Sequence, residues 1–141
     1  MNNVLVPIDG SPSALRALAF ALQAMGDRAD AQVHLLNVQS PPVHPWPGKL
    51  VSPDMINAEL RSVGKHLLAP AEIMVRSAGV ACVPHVSIGS AAAEIASYAV
   101  EHGCSTIVMG TRGMGAVGSL VTGSVAQRVV HLAPMPVTLV K

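Results

Sequence analysis

Short apolar runs alternate along the chain with stretches in which apolar residues return every three or four positions. Residues 3–8 (NVLVPI) are apolar and β-branched and end at Asp9-Gly10, a turn dipeptide, so they predict a first strand. Ser11-Pro12 then offers an N-cap followed by proline at the first helical position. Leu15, Leu18, Leu22 and Met25 predict the buried stripe of a helix that stops at Gly26.

Residues 32–38 (QVHLLNV) predict a second strand. Residues 40–53 hold Pro41, Pro42, Pro45, Pro47, Gly48 and Pro53, which break both helix and ladder. Asp54 is the expected N-cap of a long helix with the stripe Ile56, Leu60, Val63, Leu67, Ala71 and Met74, which Pro70 should bend or divide. Residues 80–88 predict a third strand, and Ser90 opens an alanine-rich helix through Glu101. Residues 106–109 and 137–140 read as strands four and five, with a glycine-rich loop and a helix over 125–132 between them. Near-continuous apolar strands alternating with amphipathic helices predict a parallel sheet covered on both faces. The expected architecture is one doubly wound α/β domain over residues 1–141 with a five-stranded parallel sheet and no internal repeat.

Composition narrows the function classes. At 141 residues the chain is long enough for a full core, and with 50% apolar and 12% charged residues it is not a disordered chain. A net charge of +1 with one Trp, one Tyr and one Phe gives neither a basic field nor stacking platforms, so no nucleic-acid partner is expected. Mean hydropathy is +0.47. Yet Arg16, Gln23, Glu72, Arg76 and Glu94 interrupt the apolar stretches before the roughly 18–20 residues a membrane span needs. The opening MNNVLVPIDGS has no basic n-region, so no signal peptide is expected. Cys82 and Cys104 lack metal spacing and read as reduced thiols, which points to the cytoplasm.

In such sheets ligands bind beyond the carboxyl ends of the strands, where the winding reverses. Two turns there carry chemistry: Pro7-Ile8-Asp9-Gly10-Ser11, and Met109-Gly110-Thr111-Arg112-Gly113-Met114-Gly115 extended to Thr122-Gly123-Ser124. Spaced glycines let backbone N–H groups approach an anion, and Gly123-Ser124 adds a hydroxyl and a positive helix end. A polyphosphate suits that arrangement. Arg112 either touches it or faces solvent. The loop is neither a Walker A sequence nor GxGxxG.

The pattern G-x2-G-x9-G-S, formed by Gly110, Gly113, Gly123 and Ser124, resembles the ATP-binding signature of the universal stress protein family. VLVPIDGS resembles the family's first strand and turn, and VMGTRGMGAVGSLVTGSVAQRVVHLAPMPVTLVK its C-terminal segment, so the likeness spans essentially the whole chain. It departs at Gly89-Ser90-Ala91, where many members carry a proline. The resemblance implies strand order 3-2-1-4-5 and an ATP site at the switch point between strands one and four. It implies Asp9 and the Val38 backbone at adenine and ribose, with Pro7 and Ile8 walling that end. Met109 and Gly110 would line ribose and α-phosphate, and Gly113, Gly123, Ser124 and Val125 would hold the phosphates. Residue by residue the plainer roles stay open: Asp9 as a turn cap, Ser124 as an N-cap, Met109 as packing.

Catalysis is not expected. Phosphoryl transfer needs metal-holding carboxylates and a group orienting the nucleophile, and Asp9 is the one acid in the two turns. Any Mg²⁺ would come with the nucleotide, so hydrolysis should be slow or absent. The six histidines form no ligand set, although His34 and His85 become neighbours if strands two and three pair. The closing Val137, Thr138, Leu139 and Val140 predict an edge strand, and the resemblance implies a homodimer formed through it. Trp46 either covers the cleft or marks a recognition surface. The expectation is a cytoplasmic stress-response protein that binds ATP and regulates partners. The alternative is a dimeric interaction module of the same fold without nucleotide, whereas an ATP-pyrophosphatase would need an SGGxDS-like first turn that VPIDGS does not supply.

Overall fold

Strand β1 (Asn3–Pro7) runs through the centre of the sheet, and its Val4, Leu5 and Val6 are wholly buried. The computed structural model describes residues 2–42, 52–112 and 123–141. Within them lie α1 (Pro12–Met25), β2 (Gln32–Gln39), α2 (Pro53–Ser77), β3 (Ala81–Ile88), α3 (Ala91–Glu101), β4 (Thr106–Gly110), α4 (Ser124–Leu132) and β5 (Val137–Val140). All pairings are parallel and the order is β3-β2-β1-β4-β5, as the resemblance implied. The elements expected from the hydrophobic pattern are all present.

The apolar runs of the strands have a direct cause: alternate side chains enter two cores. Val4, Val6, Leu35 and Val108 point to one face and pack with Ala14, Leu18, Leu68 and Val75 of α1 and α2. Leu5, Leu36, Ile107 and Met109 point to the other, against Ile95, Tyr98 and Ala99 of α3 and Ala126 and Val129 of α4. No helix among the described residues is long and apolar enough to cross a membrane.

Helix α1 forms as its sequence predicts. The Ala14 N–H donates to the Ser11 side chain at 3.2 Å, Pro12 stands in the first turn, and Gly26 ends the helix at φ 62°.

Helix α2 departs from expectation in three ways. Ser52, not Asp54, is the N-cap, accepting from Met55 N–H at 3.2 Å, while Asp54 sits in the first turn near the positive helix end. The helix continues through Pro70 undivided, because Pro70 lies on the exposed side, where the carbonyl one turn back can turn to water. The buried line is Gly64, Leu68, Ala71 and Val75, and Val63 is 40% exposed. Gly64 sets this line. A Cβ there would stand 2.6 Å from Val86 Cγ1 and 2.9 Å from Asn37 Oδ1, so only a glycine lets α2 settle this closely on β2 and β3.

Candidate functional site

Strand pairing carries the two turns singled out above to one end of the sheet. Val4 and Leu5 of β1 pair with Thr106 and Ile107 of β4, so the segments that follow Pro7 and Gly110 emerge side by side. They are also hydrogen-bonded to each other. Ser11 Oγ donates to the Arg112 carbonyl at 3.4 Å, and Arg112 N–H donates to Ser13 Oγ at 3.4 Å.

The first turn is held by its own side chains. Ser11 N–H donates to Asp9 Oδ1 at 2.9 Å, an Asx-type turn, and Gly10 takes φ 88°, which a residue with a Cβ rarely adopts. Asp9 therefore does cap its turn, and its carboxylate stays exposed at the sheet's end. Ile8 places its side chain in the α1/α2 core at 2% exposure, so only its backbone reaches the site. Pro7 is half-buried beside it. Met109 is likewise a core side chain, packed toward α3 and α4 at 6% exposure.

At the end of β4, Gly110 lies against the first turn of α1. A Cβ would come within 2.8 Å of the Ser13 carbonyl carbon and 2.9 Å of its oxygen, so the close approach requires glycine. Thr111 then bridges outward and back: its N–H donates to the Val140 carbonyl at 3.0 Å, and its carbonyl accepts from Gly123 N–H at 2.6 Å. That second bond returns the chain to the site after residues 113–122. Gly113 and the remaining loop glycines lie outside the described residues, as does Trp46.

Gly123 is the N-cap of α4, so Ser124 is the first helical residue and does not cap its own helix. A glycine cap brings no side-chain acceptor, and among the described residues no side chain accepts from the first-turn N–H groups of α4. Helix α1, whose N-terminus lies at the same end of the sheet, is capped by the Ser11 side chain; α4 has no such side-chain cap among the described residues. Ser124 and Val125 are exposed, as is Arg112. An N-terminus of this kind favours an anion through its amides and its dipole. Among the described residues no group of three or more His, Cys, Asp or Glu could hold a metal ion.

Val38 lies two residues beyond Leu36, the partner of Pro7, so the end of β2 flanks the same opening. Asn37 and Ser13 were not among the residues expected at the site. Asn37 carried a legible signal, a polar residue within the apolar run QVHLLNV, and it is 2% exposed with its amide donating to the Ile8 carbonyl at 2.8 Å. Ser13 gave none, since it owes its place to a contact between distant segments.

The histidines gather elsewhere. His34 on β2 lies 2.8 Å from the Tyr98 hydroxyl through Nδ1, and His102 stacks on Tyr98 at 3.8 Å between ring centroids. His85 approaches the same tyrosine at 5.4 Å. Burial, then the neighbouring His102, pulls the His34 pKa below its ordinary value, and burial pushes the Tyr98 phenol up to about 12. Burial likewise pushes the Cys104 thiol up to about 11, and both cysteines are free.

The strand order β3-β2-β1-β4-β5 with helices on both faces defines the class of protein: a doubly wound α/β domain whose winding reverses between β1 and β4. The universal stress protein family model matches residues 1–141, and the chain belongs to that family. A universal stress protein of Thermus aquaticus, encoded in the QAH/OAS sulfhydrylase 3′ region, is 38% identical over 145 residues covering 98% of this chain and 97% of its own. Among solved structures, the hypothetical protein MJ0577 superposes with a TM-score of 0.84 at 24% identity, covering 99% of this chain and 95% of that one. The Archaeoglobus fulgidus universal stress protein in complex with dAMP has a TM-score of 0.65 at 26% identity, covering 100% and 98%. The same fold recurs in an Arabidopsis thaliana family member with AMP bound and in a universal stress protein in complex with cAMP, at TM-scores of 0.73 and 0.72.

Proposed function

We propose that this universal stress protein binds ATP, or another adenine nucleotide, across the ends of β1, β2 and β4 and acts as a nucleotide-dependent regulator. One observation carries the reading: the glycine-capped N-terminus of α4, without a side-chain cap among the described residues and tied by the Gly123–Thr111 hydrogen bond to the end of β4, beside the Asp9 turn. That arrangement has the amides and the positive dipole a phosphate needs, and the carboxylate of Asp9 suits a ribose or base donor at the other end. The adenine nucleotides held by AMP-, cAMP- and dAMP-bound proteins of this fold support the same ligand class.

Residue by residue, Asp9 and the backbone of Val38 face adenine and ribose, with Pro7 and the Ile8 backbone closing that end. The Met109 backbone and Gly110 line the ribose and α-phosphate; Gly113, Gly123, Ser124 and Val125 hold the phosphates, with Arg112 at the rim. Mg²⁺ arrives on the nucleotide, coordinated by phosphate and water. Turnover is slow or nil, since a single carboxylate at the site leaves nothing to orient an attacking water. Two copies pair through the half-exposed edge β5 (Val137–Val140), and the protein works in the cytoplasm.

The test is thermal denaturation with and without Mg-ATP, ADP and AMP, backed by calorimetric titration. Ligand at a hundred times Kd adds about 2.7 kcal/mol. For a domain near this size that raises the melting temperature by about 5–10 °C. No shift with any of the three nucleotides refutes the proposal and leaves the interaction module.

A further inference from the structure

The end of β1 is closed by a side chain where a strand would close it. Ile8 N–H donates to the Leu36 carbonyl at 2.8 Å, the regular parallel bond. In a continued ladder the Ile8 carbonyl would next accept from Val38 N–H. It accepts instead from Asn37 Nδ2 at 2.8 Å, and the strand ends at Pro7. The carboxamide is locked in this role. Gln39 Nε2 donates to Asn37 Oδ1 at 2.7 Å, Gly64 leaves room for that oxygen under α2, and Asn37 is 2% exposed.

Strand alternation then sets where Val38 points. The Gln39 carbonyl accepts from Gly89 N–H after β3, while the Leu36 carbonyl accepts from Ile8. Odd residues of β2 thus face β3 and even ones face β1, so the N–H and C=O of Val38 project toward β1 just past its end. That pair presents a donor and an acceptor side by side, complementary to the N1 acceptor and N6 amino donor of adenine. A 6-oxopurine has the opposite order, N1–H and O6.

We infer that Asn37 is a positioning residue for base selection: by occupying the Ile8 carbonyl it keeps the Val38 peptide edge available for adenine and against 6-oxopurines. This rests on the nucleotide reading above. Asn37 touches no ligand; it acts through Val38.

The experiment compares ATP and ITP binding to the full chain by calorimetry, in the unaltered protein and in Asn37→Leu. Leu removes the donor at similar volume, and the Ile8 carbonyl then draws in Val38 N–H. ATP affinity should fall about tenfold, the weight of one good hydrogen bond, while ITP affinity stays the same. The ATP/ITP ratio therefore falls about tenfold. Damage that is merely structural would weaken both alike, and an unchanged ratio overturns the role of Asn37 alone. Absence of ATP binding by the unaltered protein overturns the nucleotide reading and this inference with it. A second measurement needs no variant: amide hydrogen exchange of Val38 in the unaltered protein, free and with AMP. Fast exchange that slows on AMP addition is expected. A Val38 amide already protected in the free protein means the ladder bond to Ile8 is made, and overturns the inference.

Discussion

Gly110→Ala tests the contact on which the site's geometry rests. The new Cβ would stand 2.8 Å from the carbonyl carbon and 2.9 Å from the carbonyl oxygen of Ser13, with the Ser13 side chain closer still. Ordinary van der Waals contact begins near 3.4 Å. The obstacle is backbone in the first turn of α1, so relief requires that turn to move off β4. It would also loosen the Ser11–Arg112 and Ser13–Arg112 hydrogen bonds, already long at 3.4 Å. Overpacking of this kind costs about 1–3 kcal/mol. Gly110 is not among the glycines with positive φ, so alanine adds no backbone strain and recovers about 0.4–1 kcal/mol from the unfolded chain. With the middle of each range the net loss is about 1.3 kcal/mol, or about 3–5 °C in melting temperature. Thermal and urea denaturation measure it, and the urea midpoint should fall with an unchanged m-value. A midpoint equal to or above that of the unaltered protein would show that β4 and α1 do not approach as closely as described.

Two further outcomes follow from the fold. The pKa of His34 is lowered, so on acidification the unfolded chain takes up a proton below its ordinary value of 6.5 before the folded one does. Stability therefore declines as pH drops from 6.5 toward the folded value, by at most ~1.4 kcal/mol per pH unit for this one proton. His85 is lowered in the same direction. Melting curves between pH 7.5 and 5.5 should show the decline, and His34→Gln should flatten it; an equal slope in the variant rules out His34 as its source. Pro70→Ala restores a backbone donor inside α2 at an exposed position and should stabilise by up to about 3 kcal/mol. A lowered urea midpoint for that variant would mean α2 depends on its proline.

Much of this protein was legible one segment at a time. Where apolar residues recur with period two or 3.6, exclusion from water alone fixes which side of the segment turns inward, and the strands and helices follow. The Ser11-Pro12 start and the Gly26 stop of α1 were legible for the same reason, since a cap involves atoms only a few residues apart. The spacing of Gly110, Gly113, Gly123 and Ser124 carried the likeness to the universal stress protein family, to which the chain belongs.

Tertiary structure decided whatever depends on residues far apart along the chain. The buried line of α2 shifted from Val63 to Gly64 because Val86 and Asn37 lie beneath it, and hydropathy assigns a glycine no buried face. Asn37 was one polar residue in an apolar run until strand order set the Ile8 carbonyl beside it. Tyr98 and three histidines met because β2, β3 and α3 share a face. Ser13 reached Arg112 across 99 residues only because β1 and β4 are neighbours. Local sequence sets which face of an element avoids water. The partner that face meets is chosen by packing, because one apolar surface can be buried against many others but only one arrangement buries all of them together.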